Sequence, residues 1–173
     1  MSRIAFLLAA VVFPVGVVAS IVPAAKPADD QASPAYVTKI PSGYRDWRFI
    51  STAHEAGKFN SIGVLLGNDV AVKAYREDKL PFPDGTMLVA LHYKHVASDE
   101  NNKVFGNPQS FVAGPPTNIQ FMIKDSKKYA ATGGWGFGHF QDGKPATAAF
   151  MKPCYACHAK EADHDLVFTR YAP

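Results

Sequence analysis

The chain has 173 residues, 47% of them hydrophobic and 19% charged, with a formal net charge of +3. Those values belong to a folded domain with a real core and exclude a disordered chain. The charge is small and no basic run accompanies it, so nothing argues for nucleic acid as a partner.

The N-terminus reads separately from the rest. In "MSRIAFLLAAVVFPVGVVAS" one positive charge at Arg3 precedes an apolar run from Ile4 to Val18, and small residues follow at Ala19, Ser20, Ala24 and Ala25. This is the layout of a secretory signal peptide over residues 1–25, and it places the expected protein in the periplasm. The alternative is an uncleaved membrane anchor, because Ile4 to Val22 nearly reaches spanning length. Pro14 and the weak flanking charge favour cleavage. Residues 26–35 continue a Pro-, Ala- and Asp-rich stretch without periodicity, expected to be a flexible tether. The folded domain is expected over residues 36–173.

Within the domain, "GKFNSIGVLLGNDVAVKAYRE" starts as an apolar run and ends with helical spacing, with Asp69 as a candidate cap. "PDG" is a turn. From Thr86 to Val96 the chain alternates, with Thr86, Leu88, Ala90, His92 and Lys94 on one face of a predicted strand. "TNIQFMIKD" alternates again, with Ile119, Phe121 and Ile123 together. After a short helical turn, Trp135, Phe137 and His139 share a face whose reverse is Gly134, Gly136 and Gly138. Glycine at every second residue lets something pack flat against that reverse face. The chain then reads as helical after Pro153. Thirteen Gly, thirteen Pro and 12% aromatics suit this turn-rich reading. The fold class is α+β: an antiparallel β-sheet with a few short helices.

The two cysteines fall in Cys154-Tyr155-Ala156-Cys157-His158, the attachment signature of c-type haem. Two intervening residues let one turn of chain present both sulfurs to the vinyl groups on one porphyrin edge. The next residue, His158, then supplies the axial imidazole. A redox dithiol is the first rival, but no βαβ context is visible. A zinc site of Cys154, Cys157, His158 and His164 is the second, although adjacent Cys157 and His158 rarely reach one small ion together. Only fifteen residues follow His158, and none is Met. A sixth iron ligand must therefore come from Met87, Met122, Met151, His92, His95 or His139. An iron with one protein ligand binds small molecules, whereas one with two mostly shuttles electrons.

"IPSGYRDW", "FPDGTM" and the ending "CYACHAKEADHDLVFTRYAP" resemble the cytochrome P-460 family, which includes the cytochromes c′-beta. The resemblance runs from about Ile40 to Pro173. It implies a curved antiparallel sheet, a homodimer, and haem c between the sheet and the C-terminal helix. Hydroxylamine-oxidising members carry a lysine bonded to the porphyrin rim, four residues after the Thr of "DGT". Here that position is Ala90. Lys94 shares its face but lies about 13 Å further along the strand. Gas-binding members of the c′-beta type also lack the cross-link, and apolar aromatics cap their pocket.

The resemblance places Arg45 near the open haem face, as a donor fork toward a ligand. Its alternative is pairing with Asp46 or a propionate. His92 is a candidate distal proton donor or a strand histidine bonded to backbone. Phe82 is a candidate cap over the iron or a core residue. Arg170 is a candidate propionate partner, while Phe168 and Tyr171 are expected at the haem edge. Asp163 and His164 are candidates to bond the proximal imidazole. The expected function is a periplasmic monohaem c-type cytochrome with an open or weakly ligated distal site. It would bind nitric oxide or a related small nitrogen species and exchange electrons with a soluble partner. A hydroxylamine oxidase and a six-coordinate electron carrier are the alternatives.

Overall fold

The computed structural model describes residues 35–172, so the signal and nearly all of the tether expected from the sequence lie outside the described residues. Six antiparallel strands follow one another across a single sheet in chain order: β1 (Arg48–Glu55), β2 (Ser61–Gly67), β3 (Met87–Ala97), β4 (Phe111–Lys124), β5 (Trp135–Gln141) and β6 (Lys144–Pro145). Three short helices interrupt them: α1 (Asp69–Arg76), α2 (Asp99–Phe105) and α3 (Ala148–His158). This is the α+β class expected from the sequence. Among the described residues, no helix is long and apolar enough to cross a membrane.

Alternation divides the sheet into two faces. On one, Val89, Leu91, Phe121 and Phe140 form a core under Val37, with Ile40, Tyr44 and Trp47 packed against it. On the other, Leu88, Trp135 and Phe137 pack with Phe82, Ala71 and Ala74 and with Leu166 and Val167 of the tail. The register carries this second face across the sheet in rungs. One runs Leu65–Ala90–Gln120–His139, and the next runs Gly67–Leu88–Met122–Phe137. Register shifts at Phe49/Ser51 and around Tyr93 mark bulges, which bend strands.

The glycines of β5 do what their spacing predicts. A Cβ on Gly136 would sit 2.3 Å from the Tyr129 ring, and one on Gly138 would sit 3.0 Å from Val37. Tyr129 and the N-terminal segment therefore lie flat on bare backbone. Val37 also donates to the Phe137 carbonyl, and Phe137 to Ala35, both at 2.7 Å, which covers the free edge of β5.

Three local expectations are corrected. The cap of α1 is Asn68, whose side chain accepts from Ala71, while Asp69 is the first helical residue. Helix α3 does not begin after Pro153; it starts at Ala148, capped by Thr147, and runs through the proline. Strand β4 begins at Phe111 rather than Thr117. Its Pro116 pairs with Tyr93 where the register is already broken, so the missing N–H costs no regular rung.

Candidate functional site

Helix α3 lies over the β5 end of the second face. Cys154 and Cys157, three residues apart, fall on one side of it, one turn from each other. Both thiols are free; Cys154 is half-buried and Cys157 exposed. Burial pushes the Cys154 thiol up.

His158 closes the helix. Its Nδ1 lies 2.8 Å from the Leu166 carbonyl. A carbonyl only accepts, so Nδ1 carries the proton and Nε2 keeps its lone pair. The ring lies between Phe137 and Phe168, with centroids 5.1 and 5.0 Å away. Burial holds its pKa below the ordinary value, against the opposing pull of the Leu166 carbonyl. A neutral imidazole with one fixed hydrogen bond and one bare nitrogen is a metal-ligand arrangement. Neither Asp163 nor His164 provides that bond; the backbone does.

The Leu166 carbonyl is held in place by its own loop. Asp165 and Leu166 both adopt left-handed backbone, with φ of 51° and 67°. Asp165 accepts from Lys124 Nζ at 2.7 and 2.8 Å and from the Phe82 amide at 2.9 Å.

Facing His158 is a cleft lined by Leu65, Leu88, Ala90, Met122, Phe137 and Cys154, with Val167 and Phe168 of the tail. Its enclosed volume is about 100 Å³, and the rest of its space is open to solvent. Its polar lining includes Gln120 and His139. Gln120 donates to Asn118 at 3.0 Å. The His139 ring lies 4.7 Å from Phe150, and burial first, then nearby His92, lowers its pKa. Apolar walls, the Cys154 thiol with exposed Cys157 one turn on, and one ligand-ready imidazole fit a flat, largely apolar macrocycle with a metal at its centre. Among the described residues no cluster of three His, Cys, Asp or Glu could hold a bare metal ion. That weighs against the rival zinc reading of Cys154, Cys157, His158 and His164.

The remaining expected residues separate. Ala90 is in the cleft, and no lysine replaces it: Lys94 is exposed, on the rung that begins at Ser61. His92 is buried just beyond the lining, next to Gly63, and burial lowers its pKa despite Glu55. Phe82 is not over the cleft. It is a core residue, edge-on to Trp135 at 5.9 Å and Tyr75 at 4.9 Å. Arg45 is on the other side of the sheet, 5.3 Å over the Tyr44 ring and beside Tyr93. Tyr44 and Tyr93 pack on the opposite core, so Arg45 does not enter this cleft. Arg170 donates to the carbonyls of Val167 and Phe168 and to Glu161, bracing the tail.

Of the candidate sixth ligands, Met122 and His139 line the cleft. Met151 is buried in the core, Met87 is on the opposite face, and His95 is stacked between His54 and Phe111. Sequence reasoning passed over Gln120. The signal was available, since Gln120 alternates with Ile119 and Phe121 and so shares a face with Met122. Lys124 and Asp165 carried no such signal, because their pairing is a tertiary event.

An antiparallel sheet and a C-terminal helix thus build a cleft whose imidazole and neighbouring thiols suit a haem. Residues 41–169 match the family described as Cytochrome P460, and the chain belongs to that family. No curated protein gives a significant match to the chain.

Proposed function

We propose that this chain is a periplasmic monohaem c-type cytochrome that binds nitric oxide or a related small nitrogen species and exchanges electrons. Cys154 and Cys157 would hold the porphyrin through two thioethers, and His158 Nε2 would ligate the iron. When bound, the haem supplies the ligand-binding and redox chemistry; the protein supplies orientation and exclusion of water. The observation that carries the reading is the Leu166 carbonyl on His158 Nδ1, which leaves the other nitrogen bare at the mouth of an apolar cleft. Leu65, Leu88, Met122 and Phe137 give that cleft apolar walls. Gln120, His139 and Thr169, rather than Arg45, are polar residues lining that cleft. Burial lowers the pKa of His139, which favours its uncharged form with one N–H.

Ala90, where hydroxylamine-oxidising members have their lysine, supports ligand binding over hydroxylamine turnover. The carrier reading keeps one supporting observation: Met122 and His139 both line the cleft. The apolar leader from Ile4 to Val18 supports export. Exposed Phe49, Phe105, Phe111 and Val112 support association with a second copy.

Mass spectrometry of the exported protein should show one added haem. Carbon monoxide or nitric oxide added to the reduced protein should change its spectrum at once. A spectrum that ignores both ligands retires the reading in favour of the carrier. A strongly red-shifted ferrous band, or steady hydroxylamine turnover, retires it in favour of the oxidase.

A further inference from the structure

The Lys124–Asp165 ion pair is the most deeply placed charge pair in the described residues. The side chains are 7% and 12% exposed, and both carboxylate oxygens lie within 2.8 Å of Nζ. Lys124 also donates to the Gly133 carbonyl at 3.1 Å and lies 4.9 Å over the Trp135 ring. Asp165 accepts the Phe82 amide besides. Both groups line a shallow surface cleft with Phe82, Asp84 and Gly133, but the Nζ donors are taken up by Asp165 and the Gly133 carbonyl. Such a pair is weak evidence of stability, because desolvating two charges offsets much of their attraction. A structural role alone is served as well by apolar residues.

Its position suggests another role. Asp165 is the first of two successive left-handed residues, and the second, Leu166, presents its carbonyl to His158 Nδ1. L-residues hold that backbone only where their surroundings impose it. The loop's own bonds, Leu166 N–H to Glu161 and Val167 N–H to His164, close the turn but do not anchor it to the sheet. Lys124, the last residue of β4, is the side chain that ties Asp165 to the sheet.

We infer that Lys124 and Asp165 are positioning residues for the axial ligand: they fix the angle and length of the hydrogen bond from His158 to Leu166. This rests on the proposed haem ligation by His158. A hydrogen bond to the far nitrogen raises the donor strength of an imidazole ligand. A stronger donor favours ferric iron and stiffens the iron–imidazole bond. Releasing the loop should therefore raise the reduction potential and lower the iron–histidine stretching frequency of the ferrous protein.

The test uses the exported holoprotein. Asp165→Asn removes the charge but keeps an acceptor for Phe82. The pair Lys124→Met with Asp165→Asn removes both charges, and so avoids a lone buried ammonium if the single variant folds poorly. Phe140→Leu, in the core on the opposite face, is a control that perturbs stability alone. Redox titration and resonance Raman should show both Asp165 variants displaced in the stated directions and Phe140→Leu at the wild-type values. Wild-type values in a folded Asp165 variant overturn the inference, as does an equal displacement in Phe140→Leu. Wild-type protein without haem would instead sink the proposed function itself.

Discussion

Replacing Gly136 by alanine tests whether β5 is really built as a bare plate for Tyr129. A methyl at Gly136 would stand 2.3, 2.5 and 2.7 Å from three carbons of that ring. Ordinary carbon contacts are near 3.5–4.0 Å, so ring and strand must part by more than about 1 Å. Neither gives easily. Tyr129 is 4% exposed, and Gly136 is paired with Ile123 in the ladder. Overpacking of this kind costs about 1–3 kcal/mol, and the rigid partners put this case near 3. For a domain of this size that is a fall of roughly 10 °C in Tm. Thermal unfolding of the holoprotein, followed by far-UV circular dichroism, measures it. Tyr129→Ala alone should cost a similar amount through the cavity it leaves. In the double variant the new methyl enters the vacated space, so the two losses should add to well under their sum. Strict additivity, or a loss below about 0.5 kcal/mol for Gly136→Ala, would refute the close packing from which the reverse face was argued.

Asn68→Ala should cost about 2 kcal/mol in a urea titration, since its carboxamide caps α1 through Ala71, accepts from Met87 and donates to Gly85. Replacing His139 by leucine should speed release of nitric oxide from the reduced protein several-fold, at about 1 kcal/mol for one lost hydrogen bond; Arg45→Ala should leave that rate unchanged. Stability should also depend on pH through His92 and His139. Burial lowers both pKa values in the folded state, while the unfolded chain keeps about 6.5. Below that pH the unfolded state therefore binds more protons, and stability that is complete above 6.5 is lost as pH falls. Denaturant midpoints at pH 7.5 and 5.5 should differ in wild type, and the difference should shrink on replacement of His92 by asparagine.

The strand faces were legible because alternation is a local property. Ala90, His92 and His139 fall where period two puts them, and the glycines announce a flat partner before Tyr129 is seen. The pentad is equally local, since its spacing already contains one helical turn. Helix starts were less legible. Asn68 and Asp69 are both good caps by type, and only the backbone decides between them. Pro153 reads as a helix start, yet Thr147, six residues before it, offers the stronger N-terminal signal and caps α3. Arg45, Phe82 and the clamp at Asp165 were beyond local reasoning. Whether an arginine faces one side of a sheet or the other depends on how a short 3-10 turn at Tyr44–Asp46 approaches it, and no periodicity encodes that. Phe82 is drawn into the core by Trp135 and Tyr75, contacts made across more than fifty residues or against a neighbouring helix.

Both ends of the described chain are fastened by distant partners. Val37 bonds to Phe137, Ala172 donates to the Ile50 carbonyl, and Tyr75 reaches Thr169 across 94 residues. Contacts of such high sequence separation form late and slow folding. The sheet can assemble in sequential hairpins while the segment bearing the thiols is still loose, so Cys154 and Cys157 stay accessible until the tail closes over the second face.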